Sequence, residues 1–355
     1  MRKYAVPAVF AFVMIFIAVP VHARDPLPRI LILATGGTIA GIGATATTTV
    51  GYAAAKVGVE GLISAVPELS GIAKVSGEQA MQVASENLTP ADWLTLSKRI
   101  NLLLAREDVN GIVITHGTDT LEETAYFLNL TVKSSKPVVL TGAMRPSTSI
   151  SADGPMNLYN AVLLAGSHDA RGKGVLVALN DQVSAAREVT KTNTTSPGTF
   201  KTPDMGFLGY VTGGQVHFFR ATTKRHTVNS EFDIMNCDTL PEIHILYGYA
   251  GEKRAMLDAI ITKDIAGVVN AGTGDGSMSD AMKTAYHEAR QKGVVVVRSS
   301  RTGSGFVART GEAKDDEYDF VVACNLNPQK ARILLMLALT KTRDTKDIQR
   351  IFMEY

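Results

Sequence analysis

The chain has 355 residues, 45% apolar and 20% charged, with 36 Lys and Arg against 34 Asp and Glu and a net charge of +2. That near-balance leaves no basic footprint for nucleic acid, the composition is globular, and the length suffices for two domains of moderate size. Cys237 and Cys324 are the two cysteines, and the seven histidines are scattered, so no zinc-ligand spacing is present; the thiols either pair in an oxidising compartment or stay separate, since sequence does not show how closely they approach.

The first 23 residues read as an export signal. Arg2 and Lys3 form a positive head, Ala5 to Val19 is apolar and uncharged, and Val21-His22-Ala23 has small-x-small character. This is the pattern of a cleaved signal peptide, with the mature chain expected to begin at Arg24. The alternative, a membrane anchor, is disfavoured because the stretch is short and no second span-length segment follows. The expected destination is the periplasm, with no membrane contact after cleavage. Without Arg2 and Lys3 the net charge is about zero.

Strand-like runs then alternate with helical patterns. Ile30–Ala34, Ile112–Thr115, Val138–Thr141, Gly174–Leu179, Ile243–Tyr247, Gly267–Asn270 and Val294–Arg298 are nearly continuous apolar runs, as parallel strands covered on both faces require. The Gly41 to Gly51 stretch is rich in Gly, Ala and Thr, and reads as a mobile loop, either a lid over the first threonine segment or an ordinary flexible surface loop. Pro90 to Leu104 reads as a helix, with Thr89 as N-cap and Pro90 in the first turn. Its Trp93, Leu94, Leu96, Ile100, Leu103 and Leu104 fall on one face and belong to a core. The polar segment 221–240, basic at Lys224-Arg225-His226, has no period and reads as a linker. A fresh β-α-β pattern begins at Ile243, and Asn327-Pro328 opens a late helix. The expected organisation is an α/β domain over 24–220, a linker over 221–240 and a second α/β domain over 241–355.

Two segments carry the chemistry. Ala34-Thr35-Gly36-Gly37-Thr38-Ile39-Ala40-Gly41 and Thr115-His116-Gly117-Thr118-Asp119-Thr120 each follow an apolar β-branched run. Each is therefore a strand running out into a loop of hydroxyls and unhindered amides, at the sheet edge where open α/β folds bind ligands. A hydroxyl nucleophile in each loop and an acid in the second suit acyl transfer on a small polar substrate.

These segments resemble the two signature segments of the bacterial type II L-asparaginases and glutaminase-asparaginases. The likeness continues through Thr141-Gly142-Ala143-Met144-Arg145-Pro146, Ser151-Ala152-Asp153-Gly154-Pro155, Val189-Thr190-Lys191-Thr192-Asn193-Thr194 and Asn327-Pro328-Gln329-Lys330-Ala331-Arg332, covering essentially the whole mature chain. The resemblance implies a two-domain α/β fold, with a larger N-terminal, mostly parallel sheet between helices and a smaller C-terminal α/β domain. It also implies a homotetramer whose sites are shared across an intimate dimer, and no cofactor or metal. The expected reaction is hydrolysis of L-asparagine to L-aspartate and ammonia, with L-glutamine as a second substrate. By the same resemblance Thr38 is the nucleophile, Tyr52 assists it and Glu312 pairs with that tyrosine. Thr118, Asp119 and Lys191 form a second catalytic constellation. Backbone N–H groups near Gly37 and Thr118 would face the oxyanion. Ser85 would hold the α-carboxylate, Glu86 and Asp119 would flank the α-ammonium, and Ala143 and Asp275 would contribute to the binding site. Asp275 departs from the family pattern, where relatives often carry Asn, and its role is open.

Other features are given structural readings. His116 is a packing residue rather than a catalyst. Gly272-Thr273-Gly274-Asp275-Gly276-Ser277 lacks the ending of a phosphate-binding P-loop, and Asp315-Asp316-Glu317 is a solvated charge run. Two other classes compete: a periplasmic amino-acid-binding protein, which would not need Thr118 beside Lys191, and a hydrolase for another amide.

Overall fold

The computed structural model describes residues 1–5, 26–261 and 264–355; the export-signal reading therefore falls, from residue 6 on, outside the described residues. Fourteen strands are present among them: β1 (Arg29–Gly36), β2 (Lys74–Val83), β3 (Gly111–Thr115), β4 (Val138–Thr141), β5 (Val175–Leu179), β6 (Gln182–Ala185), β7 (Thr190–Lys191), β8 (Phe200–Lys201), β9 (Gly209–Thr212), β10 (Gln215–Phe218), β11 (Ile243–Tyr247), β12 (Gly267–Gly272), β13 (Val295–Ser300) and β14 (Val321–Val322). The α-helices are α1 (Val59–Ser64), α2 (Pro90–Leu104), α3 (Leu121–Thr131), α4 (Gly154–Gly166), α5 (Ala255–Ile260), α6 (Asp280–Gln291), α7 (Asp315–Tyr318), α8 (Pro328–Ala338) and α9 (Thr345–Glu354).

Eight strands form one sheet in the order β10-β9-β6-β5-β4-β3-β1-β2, and β11-β12-β13-β14 form a second. In the large sheet β2, β1, β3, β4 and β5 run parallel, while β6, β9 and β10 extend it antiparallel. The small sheet is parallel throughout. The mixed α/β architecture, a large mostly parallel sheet with a smaller parallel one, is the expected one. All seven apolar runs became strands. The polar β2 and the antiparallel β6, β9 and β10 were not foreseen. β2 lies at the sheet edge with no fully buried residue, so it carries none of the continuous apolar signal of a central strand.

Alternate residues of each strand feed opposite cores. Ile30, Ile32 and Ala34 of β1 pack with Leu158, Ala161 and Ala165 of α4. Leu31 and Leu33 join Trp93, Ile100 and Phe127 of α2 and α3 in a core that continues through α8 and α9 to Val269, Val295 and Val297 of the small sheet. The Thr89 cap of α2 forms with Asp92 as a reciprocal capping box. The 221–240 segment is anchored: Phe232 and Ile234 are buried, and Arg225 Nη1 donates to Glu354 at 2.7 Å. Cys237 and Cys324 are free thiols.

The strand order fixes where a ligand fits. The chain leaves β1 towards β2 on one side and leaves β3 towards β4 on the other, so the order 2-1-3-4-5 reverses between β1 and β3. The connection after β1, through α1, packs on one face and the connection after β3, through α3, on the other, and the crevice where they part is the usual binding position in an open α/β sheet.

Candidate active site

The threonine segments occupy that crevice. Gly37 and Thr38 follow β1, and Gly117, Thr118 and Asp119 follow β3. They meet at van der Waals limit: a Cβ on Gly37, whose φ is +80°, would lie 2.3 Å from the Gly117 backbone, and a Cβ on Gly117 would lie 2.6 Å from Ser85 Oγ. Only glycine lets these three backbones come together. Thr120 Oγ1 donates to the Ser85 carbonyl at 2.8 Å, tying the Ser85 turn to the second loop.

A cavity of about 310 Å³ opens at this junction. Gly37, Thr38, Tyr52, Ser85, Glu86, Thr118, Asp119 and Lys191 all line it, so eight of the expected site residues converge from five separate segments. Thr38 Oγ1 lies 2.7 Å from Tyr52 Oη. Lys191 Nζ donates to Thr118 Oγ1 at 3.0 Å and to Asp119 Oδ1 at 2.6 Å. The two threonines are buried and Asp119 is exposed. Ser85 Oγ is buried without a hydrogen-bond partner among the described residues. An unsatisfied buried hydroxyl is costly, and this one borders the cavity, where an incoming acceptor can reach it.

Three expected residues lie elsewhere. Ala143 is fully buried in the core with Ile39, and its neighbour Met144 lines the cavity. Asp275 and Glu312 belong to the small-sheet side of this chain. Asp275 Oδ1 accepts the Ala308 N–H at 2.7 Å, so its carboxylate braces the loop leading to Glu312, which is exposed. That loop is held centrally by Arg298. Its guanidinium pairs with Asp315 at 2.6 Å, both side chains fully buried, and donates to the carbonyls of Asp275 and Ala308 at 3.0 and 2.8 Å. Asp315 thus has a buried partner, in contrast to the solvated-run reading.

His116 directly follows β3 and packs in the interior. It is fully buried, its Nδ1 lies 2.7 Å from the Gly117 carbonyl oxygen, and burial pushes its imidazole down to about 4, so the ring is neutral at pH 7. The Gly41 to Gly51 loop folds back on itself. Ile42 and Ala53 pair as an antiparallel bridge, Ser147 N donates to the Gly41 carbonyl and Ile150 N to that of Ala46. Thr49, Val50 and Gly51 reach the cavity wall. Sequence reasoning left out Thr194 and Thr195, which also line it; their place just after Lys191 was the available signal.

Family models match nearly the whole described chain: the N-terminal asparaginase model over residues 29–224 and the glutaminase/asparaginase C-terminal domain model over residues 242–352. The chain belongs to the asparaginase and glutaminase-asparaginase family of amidohydrolases. L-asparaginase 2 of Bacillus subtilis is 56% identical over 94% of this chain and 88% of that protein. The glutaminase-asparaginase of Pseudomonas fluorescens biotype A is 51% identical over 99% of both chains. A solved structure, described as a probable cytoplasmic L-asparaginase from Campylobacter jejuni, superposes with a TM-score of 0.90 at 49% identity. It covers 92% of this chain and all of that one. Family membership supports asparagine hydrolysis, and a small amino acid suits the cavity.

Proposed function

We propose that the protein hydrolyses L-asparagine, and L-glutamine as a second substrate, through an acyl-enzyme on Thr38. One observation carries this reading: two threonine hydroxyls border a single cavity, each in hydrogen-bond contact with a different proton-handling partner, Tyr52 for Thr38 and Lys191 for Thr118. A binding protein has no use for such a pair, and catalysis needs one.

In this mechanism Thr38 Oγ attacks the side-chain amide carbon; its proton passes to the Tyr52 oxygen as the Tyr52 hydroxyl hands its own proton on towards the amide nitrogen. The oxyanion faces backbone N–H groups near Gly37 and Thr118. The C–N bond breaks, the nitrogen takes up the proton and leaves as ammonia, and an aspartyl ester remains on Thr38. Water, oriented by Thr118 with Lys191 and Asp119, then attacks the ester carbon. Its proton returns to Thr38 Oγ through the same relay, freeing aspartate. The unpartnered Ser85 hydroxyl supports a role in binding the α-carboxylate, and the acids Glu86 and Asp119 suit the α-ammonium.

Glu312 and Asp275 lie outside this chain's cavity wall. Their assigned roles therefore require a second copy of the chain, which agrees with a homotetramer of paired sites. The reading also keeps domains over 24–220 and 241–355 joined by 221–240, and periplasmic export. A Haemophilus influenzae relative 48% identical over 94% of this chain is named a probable periplasmic L-asparaginase, whereas the Campylobacter jejuni structure is described as cytoplasmic.

Ammonia release from asparagine and glutamine tests the proposal. Thr38→Ala is expected to lower kcat by about 10³-fold or more, and Lys191→Met by about 10²–10⁴-fold, with folding intact. Mass spectrometry of quenched wild-type turnover should find the acyl group on the peptide containing Thr38. Near-normal turnover by Thr38→Ala would remove the nucleophile assignment.

A further inference from the structure

Lys191 sits on an unusual support. Its strand, β7, is two residues long and pairs, among the described residues, with β8 alone, outside the large and the small sheet. A two-residue ribbon does not by itself fix a backbone. The fixing comes from the Asn327-Pro328-Gln329-Lys330 motif, to which the proposed mechanism gives no task.

Glu122, in the first turn of α3, is 4% exposed. Its Oε2 accepts the backbone N–H of Lys191 at 2.9 Å. Its Oε1 accepts from Asn327 Nδ2 at 3.2 Å and from Gln329 Nε2. Asn327 also caps α8, its Oδ1 accepting the Lys330 N–H at 3.1 Å. Lys330, 2% exposed, extends its ammonium to the carbonyls of Arg187, at 3.0 Å, and Val189. The segment leading into Lys191 is thus gripped on its carbonyls by Lys330 and on its amide by Glu122. A buried carboxylate that accepts three hydrogen bonds is well satisfied, and charge-assisted bonds of this kind are the stronger ones.

We infer that Glu122 is a positioning residue that sets the backbone of Lys191 from α8, so that the Lys191 ammonium reaches Thr118 and Asp119 together. The inference rests on the assignment of Lys191 to catalysis. Glu122 does not line the cavity, so its loss acts on the placement of the ammonium rather than on substrate contact. Replacing its carboxylate with an amide puts an NH₂ group against N–H donors from Lys191 or from Asn327 and Gln329, and one side of the grip opens. A displacement of about 1 Å in a catalytic group costs up to about 10²-fold in rate.

The test compares full-length wild type, Glu122→Gln, Gln329→Ala and Lys191→Met, and the double variant Glu122→Gln/Lys191→Met, by ammonia release from asparagine, with thermal unfolding as the folding control. Glu122→Gln is expected to lower kcat about 10–10²-fold with KM within about twofold of wild type. Gln329→Ala, which removes a single bond, should lower kcat a few-fold in the same way. Once Lys191 is Met, adding Glu122→Gln should cost no further rate, because the two act as a unit. An equal loss in both backgrounds, as a general structural defect would give, overturns the inference. So does a folded Glu122→Gln with wild-type kcat; if that variant fails to fold, an unchanged kcat in Gln329→Ala does the same. Wild type that releases no ammonia removes the underlying reading of the site instead.

Discussion

Gly37 and Gly117, eighty residues apart, share one small space: a methyl group on the first would overlap the backbone of the second at 2.3 Å. The relationship follows from strand order, because β1 and β3 are adjacent and parallel and their loops leave the sheet side by side.

That packing makes Gly37→Ala a severe change. Both the positive φ and the clash oppose a side chain. The variant is expected to lose activity by about 10²-fold or more as the Thr38 and Thr118 loops separate. Steady-state ammonia release beside a melting curve reads this; an active variant with an unchanged melting temperature contradicts the close approach.

The buried pair of Arg298 and Asp315 organises the loop between β13 and α7. Asp315→Asn leaves the guanidinium without its counter-charge in a site closed to water, which typically costs about 3–5 kcal/mol. Chemical denaturation should show a loss of that order. A loss below about 1 kcal/mol would mean that the carbonyls of Asp275 and Ala308 suffice to hold Arg298.

His116 gives the protein an acid-sensitive term. Its imidazole protonates near 6.5 when unfolded and only near about 4 when folded. Below pH 6.5 the unfolded chain therefore binds more protons, and stability declines as the pH falls towards 4. The contribution is complete above about 6.5 and amounts to about 3 kcal/mol. Replacing His116 by Asn should flatten the drop in Tm between pH 6.5 and 4. An unchanged slope would assign that drop to other groups.

Shared sites predict complementation. Thr38→Ala and Glu312→Ala chains are each expected to be nearly inactive. Co-expressed, they form hybrid pairs in which one of the two sites combines an intact Thr38 with an intact Glu312 from the other chain. Activity should return to about a quarter of wild type, for random pairing of two sites per dimer. No recovery would place all the working groups of each site within one chain.

The sequence made the parallel core legible because its strands are covered on both faces and read as unbroken apolar runs. β2, β9 and β10 were not legible, since half-exposed strands mix polar and apolar residues without a distinct boundary, and β6, though mostly buried, is only four residues long. Thr38 and Thr118 stood out because each follows such a run directly. Glu122 was visible only as an acid inside a motif. Its importance depends on Asn327 and Gln329, more than two hundred residues away, and no local pattern announces a partner at that distance. Asp315 was misjudged for the same reason: its run looks solvated until β13 brings Arg298 against it.

Every residue lining the cavity lies between positions 37 and 195, yet the Glu122 carboxylate that holds Lys191 and the carbonyls leading into it are themselves held by positions 327 to 330. A fragment ending at 224 would thus hold every wall residue of the cavity and still lack both Glu312 and the α8 residues that brace Lys191. In this architecture the chain's last quarter is the jig on which its first half is set.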